Sequence, residues 1–210
     1  MIKAAQARGY HNVTAETCPH YLLLTKERLA EIGPYGKVNP PLRSKEEQER
    51  LWEYLLDGTI TTIGSDHGPH LTEHKERGWK DIFAAPAGSA AVETMLPAML
   101  TAVNQGKLGL QLLTKLMSEN VAKLYGIYPR KGAIQVGSDA DLTIVDMAKE
   151  MTVDRHKAYT KDKESSRMFD GYHMVGLPVA TVVRGTVIMR DGVVIGTPGY
   201  GQFVPRSKVT

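Results

Sequence analysis

Thr59-Ile-Thr-Thr-Ile63 is β-branched at every position and runs directly into Gly64-Ser-Asp-His-Gly-Pro-His70, a loop dense in turn formers and ionisable side chains. A stretch with no polar and apolar alternation suits a strand buried on both faces. Upstream, Ser44 with Glu47 three positions on forms a capping box for a helix through Glu46-Glu-Gln-Glu-Arg-Leu-Trp-Glu-Tyr-Leu-Leu56, stopped by Gly58. The same order occurs once before: an extended run, Val13-Thr-Ala-Glu-Thr-Cys18, then Pro19 and the helical Tyr21-Leu-Leu-Leu-Thr-Lys-Glu-Arg-Leu-Ala-Glu-Ile32. Strands separated by helices pair in parallel, because a parallel pair needs a crossover connection, so the fold class is α/β. In such units the chemistry gathers at the carboxyl ends of the strands. Two polar clusters fall there, Glu16 to His20 and Ser65 to His70.

The flanks complete the organisation. Residues 2–9 read as the tail of a helix ending at Gly9; that opening has no cap, which leads us to expect the back part of a longer chain. Ser89 to Leu100 and Leu110 to Leu124 are apolar helices. Beyond Pro129 the composition changes to short β-branched runs: Ala133 to Val136, Leu142 to Val145, Ala180 to Val183, Thr186 to Met189 and Val193 to Ile195. Arg190-Asp-Gly192 between the last two is a hairpin turn. We therefore expect a boundary near residues 129–132, with one domain over 1–130, a small β domain over 131–210, and a polar excursion at 154–173.

Composition removes several function classes. The chain of 210 residues carries Lys+Arg 26 against Asp+Glu 23. Because those charges are scattered, nothing points to nucleic acid or to an acidic membrane surface. There is no apolar run long enough to span a bilayer and no secretory pattern at the N-terminus, so the expected location is the cytosol. The single cysteine, Cys18, rules out a disulfide framework and a cysteine-rich zinc site.

Asp66, at the end of the buried strand, has the type and place of a residue that binds a metal and takes a proton from metal-bound water; it equally suits a turn cap. His70 and His74 sit nearby, as catalytic groups or as polar loop residues. Gly68 and Pro69 disrupt the spacing a self-contained metal loop would need. Cys18 fits a small buried residue better than a nucleophile, and His20 beside it is a candidate base. Asn39, in the rigid Asn39-Pro-Pro-Leu-Arg43, offers an amide that donates and accepts. The backbone of Ala87 and Gly88, in Pro86-Ala-Gly-Ser89, suits an imide or carboxylate edge.

Six segments in order resemble the cyclic amidohydrolases, the group of dihydroorotase, hydantoinase/dihydropyrimidinase and allantoinase. They are Glu16-Thr-Cys-Pro-His-Tyr-Leu22, Asn39-Pro-Pro-Leu-Arg43, Ser65-Asp-His-Gly-Pro-His70, Pro86-Ala-Gly-Ser-Ala-Ala-Val-Glu93, Pro129-Arg-Lys-Gly132 and Gly137-Ser-Asp-Ala-Asp-Leu142. The resemblance implies a (β/α)₈ barrel with a binuclear zinc centre, followed by a small β domain. A whole barrel takes roughly 250 residues, so the resemblance implies the C-terminal part of one, with strands seven and eight and their helices. It also implies that the family's His-x-His pair, lysine and further histidines are missing; no His-x-His occurs in the sequence. Carried over, Asp66 would be ligand and proton shuttle, Asn39 would hold the ring, His70 a substrate carboxylate or ring edge, and Ala87 and Gly88 the imide side.

The expectation is thus part of a metal-dependent hydrolase that opens a cyclic amide. Dihydroorotase ranks first, because its matches lie at the site. Hydantoinase, which the Gly199 to Val204 tail resembles, and allantoinase are the alternatives. The isolated chain is expected to be inactive; its rivals are a non-catalytic fragment or module and half of a split enzyme. The expected partners are a small cyclic amide together with a second copy of the chain or a missing N-terminal half.

Overall fold

The computed structural model describes residues 1–10 and 12–206, and the secondary structure is α/β. Two parallel strands, β1 (Glu16–Thr17) and β2 (Thr62–Ile63), pair with Glu16 opposite Thr62 and Thr17 opposite Ile63. Amide bonds from Thr61 to Ala15 (2.9 Å) and from Gly64 to Thr17 (2.8 Å) continue the ladder at both ends. Both strands are shorter than their β-branched runs suggested, because hydrogen bonding to a neighbour, not side-chain shape, decides where a strand stops.

Helices α1 (Ile2–Ala7), α2 (Pro19–Leu23), α3 (Lys26–Ile32), α4 (Lys45–Leu56), α5 (Thr72–Glu76) and α6 (Val92–Asn104) surround this pair in sequence. The helix expected over residues 21–32 is broken in two at Leu24 and Thr25, both extended. In α4 the capping box forms: Ser44 Oγ accepts from the Glu47 amide at 3.4 Å, and the Glu47 carboxylate accepts from the Ser44 amide at 3.3 Å. Its inward face seats Trp52, whose Nε1 donates to the Leu22 carbonyl (2.7 Å), and Gln48, whose amide donates to the Leu24 carbonyl (2.8 Å). Two polar side chains thereby close the orphan carbonyls of α2.

The chain packs as two compact units, residues 1–99 with 151–174, and residues 100–150 with 175–210. A boundary at 129–132 does not coincide with that division. The first unit holds a core of Leu24, Ile32, Tyr35, Val38, Leu42, Ala98, Val153, Met168, Phe169 and Met174. The polar stretch 154–173 contributes two of those residues and is not a surface loop: it winds through 3₁₀ turns at Arg155–Lys157 and Lys163–Phe169, and its Ser165 carbonyl accepts from Ser89 Oγ (2.9 Å) and the Ala90 amide (3.0 Å).

The second unit contains α7 (Leu110–Thr114) and α8 (Asn120–Leu124), joined through a π-type turn at Lys115–Glu119. Most of a four-stranded sheet in the order β3 (Leu142–Thr152), β4 (His173–Val183), β5 (Thr186–Arg190) and β6 (Val193–Val194) also belongs here. The β5–β6 hairpin turns through Asp191 (φ 49°) and Gly192 (φ 81°), both left-handed as a two-residue hairpin turn demands. Ala133 to Val136 is not a strand; Ile134 and Val136 are exposed, since nothing pairs with them.

Candidate active site

Asp66 is the third residue after β2 and, among the described residues, one of three non-glycine residues with positive φ, at 49°. That conformation turns the chain out of the strand at once, and a non-glycine residue adopts it only when its surroundings impose it. Gly64 lets the Glu16 carboxylate approach the strand end: a Cβ there would lie 2.6 Å from it. The Asp66 side chain is 47% exposed, and its Oδ2 lies 3.8 Å from Nε2 of His20, which is almost wholly buried. His20 stands in the first turn of α2, just after β1, so the parallel pairing of β1 and β2 brings the two polar clusters together.

Burial pushes the His20 pKa down to about 4, so the ring is neutral at pH 7. Burial, with the charges of Asp66 and Glu16, pushes the Cys18 thiol up to about 12. Cys18 is therefore a protonated, buried side chain and not a nucleophile.

The remaining candidates sit on loops tied to one another. His67 Nδ1 accepts from the amides of Ala91 (3.1 Å) and Val92 (3.2 Å), capping the start of α6. His70 Nε2 is 2.9 Å from the Ala87 carbonyl. Since a carbonyl only accepts, Nε2 bears a proton in this contact. Gly88 has φ 137°, and a Cβ there would lie 2.4 Å from the Gly68 carbonyl, so only glycine lets these two loops touch. The Gly88 amide donates to the Lys37 carbonyl (2.9 Å), which leaves Gly88 a role in shape, not as a free donor. Asn39 is exposed, two residues beyond Lys37. Its neighbour Pro40 accepts from Tyr21 Oη (2.9 Å), and the Tyr21 ring lies against His20 with centroids 4.1 Å apart. His74 lies with His70, Arg77, Phe83 and Pro86 along an open pocket of about 350 Å³.

Lys75 joins these loops, and the sequence gives little sign of it. It is fully buried, and its ammonium donates to the carbonyls of Pro86 (3.0 Å), Pro34 (3.3 Å) and Lys37 (3.4 Å). Burial, aided by the charge of Lys37, lowers its pKa to about 8. A lysine inside Thr-Glu-His-Lys-Glu reads as a solvated helix face, and only the three-dimensional arrangement shows otherwise.

Asp66 and His20 supply two donors, whereas zinc sites take three or four protein ligands. Among the described residues no group of three or more His, Cys, Asp or Glu side chains could hold a metal ion. The zinc centre implied by the resemblance is thus not composed by these residues alone.

The model of the amidohydrolase family matches residues 1–193. L-hydantoinase of Paenarthrobacter aurescens is 49% identical over 207 residues, covering 98% of this chain and 44% of that protein. Dihydroorotase of Acetivibrio thermocellus is 39% identical over 196 residues, covering 93% and 44%. The structure of L-hydantoinase (dihydropyrimidinase) from Arthrobacter aurescens superposes with a TM-score of 0.91 at 48% identity, over 98% of this chain and 45% of that one. The chain spans just under half the length of the relatives it matches.

Proposed function

The chain belongs to the amidohydrolase family, and from that premise we propose that it is the part of a cyclic-amide hydrolase that carries the proton-transferring aspartate and the substrate-binding loops. In this reading β1 and β2 are the seventh and eighth strands of a (β/α)₈ barrel, and the parallel register between them supports it. Zinc ligands beyond Asp66 come from residues outside those described, on the same polypeptide or on a partner.

The observation that carries the proposal is Asp66 itself. It is a half-exposed carboxylate on a left-handed turn at the carboxyl end of a buried parallel strand, in the loop whose His70 is bonded to the Ala87 turn. Hydrolysis adds the oxygen of water to the ring carbonyl carbon and breaks the carbon–nitrogen bond. Asp66 accepts one proton from the attacking water and delivers it to the leaving nitrogen; the other is released when the new carboxylic acid ionises. The Ala87 carbonyl has a second lone pair for a ring N–H, and the Asn39 amide offers both a donor and an acceptor to the ring.

Among rings we favour a hydantoin. The L-hydantoinase leads the dihydroorotase by 49% to 39% identity over nearly the same residues, which outweighs the few motif residues that favoured dihydroorotate. A local observation agrees: dihydroorotate carries a carboxylate, and the Nε2–H of His70 is already given to the Ala87 carbonyl. Dihydroorotate is the second reading, supported by Asn39-Pro-Pro and by the place of His70 beside the Ala87 turn.

The test replaces the matching stretch of the Paenarthrobacter L-hydantoinase with this chain. Hydantoin opening is expected, with kcat falling about 100-fold or more in Asp66→Asn. A chimera that folds but opens none of hydantoin, dihydroorotate or allantoin, or one indifferent to Asp66→Asn, would overturn the proposal.

A further inference from the structure

Among the described residues, His20 Nε2 is the buried side-chain nitrogen or oxygen left without a hydrogen-bond partner. A histidine serving only to fill a core is normally satisfied, so an orphan of this kind calls for a reason. The nearest charged group is the Asp66 carboxylate, 3.8 Å away, which is too long for a hydrogen bond. We propose that His20 is the positioning residue of Asp66: its Nε2–H docks one oxygen of the Asp66 carboxylate and leaves the other directed at the substrate. The inference rests on the reading of Asp66 as the proton-transferring group.

Two arrangements of the neutral ring are open. With Nε2 bare, its lone pair faces the Asp66 carboxylate, and two electron-rich atoms oppose each other. With Nε2 protonated, the N–H faces an acceptor, and the contact becomes a charge-assisted hydrogen bond once the carboxylate moves in by about 1 Å. The mobile partner is Asp66. His20 has a side chain 3% exposed, lies against Tyr21 and sits between Pro19 and a tyrosine whose hydroxyl is bound to Pro40. Asp66 is 47% exposed at its side chain and can rotate. A fixed donor beside a mobile carboxylate defines one docked orientation, and docking ties up one oxygen only. An ionised carboxylate has about four lone-pair sites, so the docked oxygen keeps one with which it could bind a metal, and the other oxygen takes and returns the proton; His20 thus acts through Asp66 and touches neither water nor substrate.

The decisive experiment uses the full chain with ¹⁵N-labelled histidine and ¹³C-labelled aspartate, observed by NMR at neutral pH. His20→Gln identifies the His20 signals and Asp66→Asn those of Asp66. The expected result is a His20 ring protonated at Nε2, with that signal shifted in Asp66→Asn. The Asp66 carboxyl carbon should move in His20→Leu and return towards its wild-type position in His20→Gln, whose amide restores a donor. A ring protonated at Nδ1, or His20 signals that ignore Asp66→Asn, overturns the proposal. Should His20→Leu fail to fold, the wild-type tautomer and Asp66→Asn still decide. None of these readings depends on turnover, so failure here is distinct from failure of the ring-opening function, which the chimera reads.

Discussion

Two histidines close to their partners do different work because those partners differ: His70 faces a carbonyl at 2.9 Å and His20 a carboxylate at 3.8 Å. The depressed His20 pKa has a consequence for stability. Below pH 6.5 the unfolded chain gains a proton on this ring that the folded chain refuses until about pH 4. The contribution of His20 is therefore complete above pH 6.5 and is lost as the pH falls to about 4, by on the order of 3 kcal/mol. Urea unfolding at pH 7, 5.5 and 4.5 checks this. Wild type is expected to lose more stability than His20→Gln over that range, and equal slopes would contradict it. At this scale the sequence made Asp66, Asn39, His70, Ala87 and Gly88 visible as candidates, since each lies in a polar turn beside a strand or helix. His20 was legible only as a possible base, and Lys75 was not legible, because burial of a charged side chain is decided by carbonyls distant in sequence.

Elements defined by local chemistry were readable and those defined by distant pairing were not. The capping box of α4 and the Asp191-Gly192 turn depend on neighbours three or fewer residues away, and both formed as expected. Ala133 to Val136 has the same β-branched character as β5 but no partner strand, so it remains irregular. The stretch 154–173 has the composition of a loop, yet Met168 and Phe169 are buried. Its carbonyls at Arg167, Met168 and Asp170 are taken by the Arg28 guanidinium, an arrangement that sequence periodicity does not encode. The capping box gives a measurable prediction. Ser44→Ala should lower stability by about 1 kcal/mol, read as a shift in the urea midpoint with an unchanged slope. A variant as stable as wild type would mean that the two bonds, at 3.3 Å and 3.4 Å, add nothing in solution.

For the molecule as a whole, family membership was legible because six short motifs occur in the right order. Which ring is opened was less legible, since motif residues near the site resembled dihydroorotase while the chain is 49% identical to an L-hydantoinase and 39% to a dihydroorotase. The central claim is that this chain carries the aspartate and the substrate side of an amidohydrolase site, whereas the described residues form no metal cage. Zinc content settles it most directly, measured by mass spectrometry on the purified chain after dialysis against a weak chelator. Hydrolysis of hydantoin, dihydroorotate and allantoin is assayed on the same sample. The account predicts zinc far below one per chain and no turnover of any ring. Near-stoichiometric zinc accompanied by turnover would contradict it, because the ligands would then have to lie within these 210 residues.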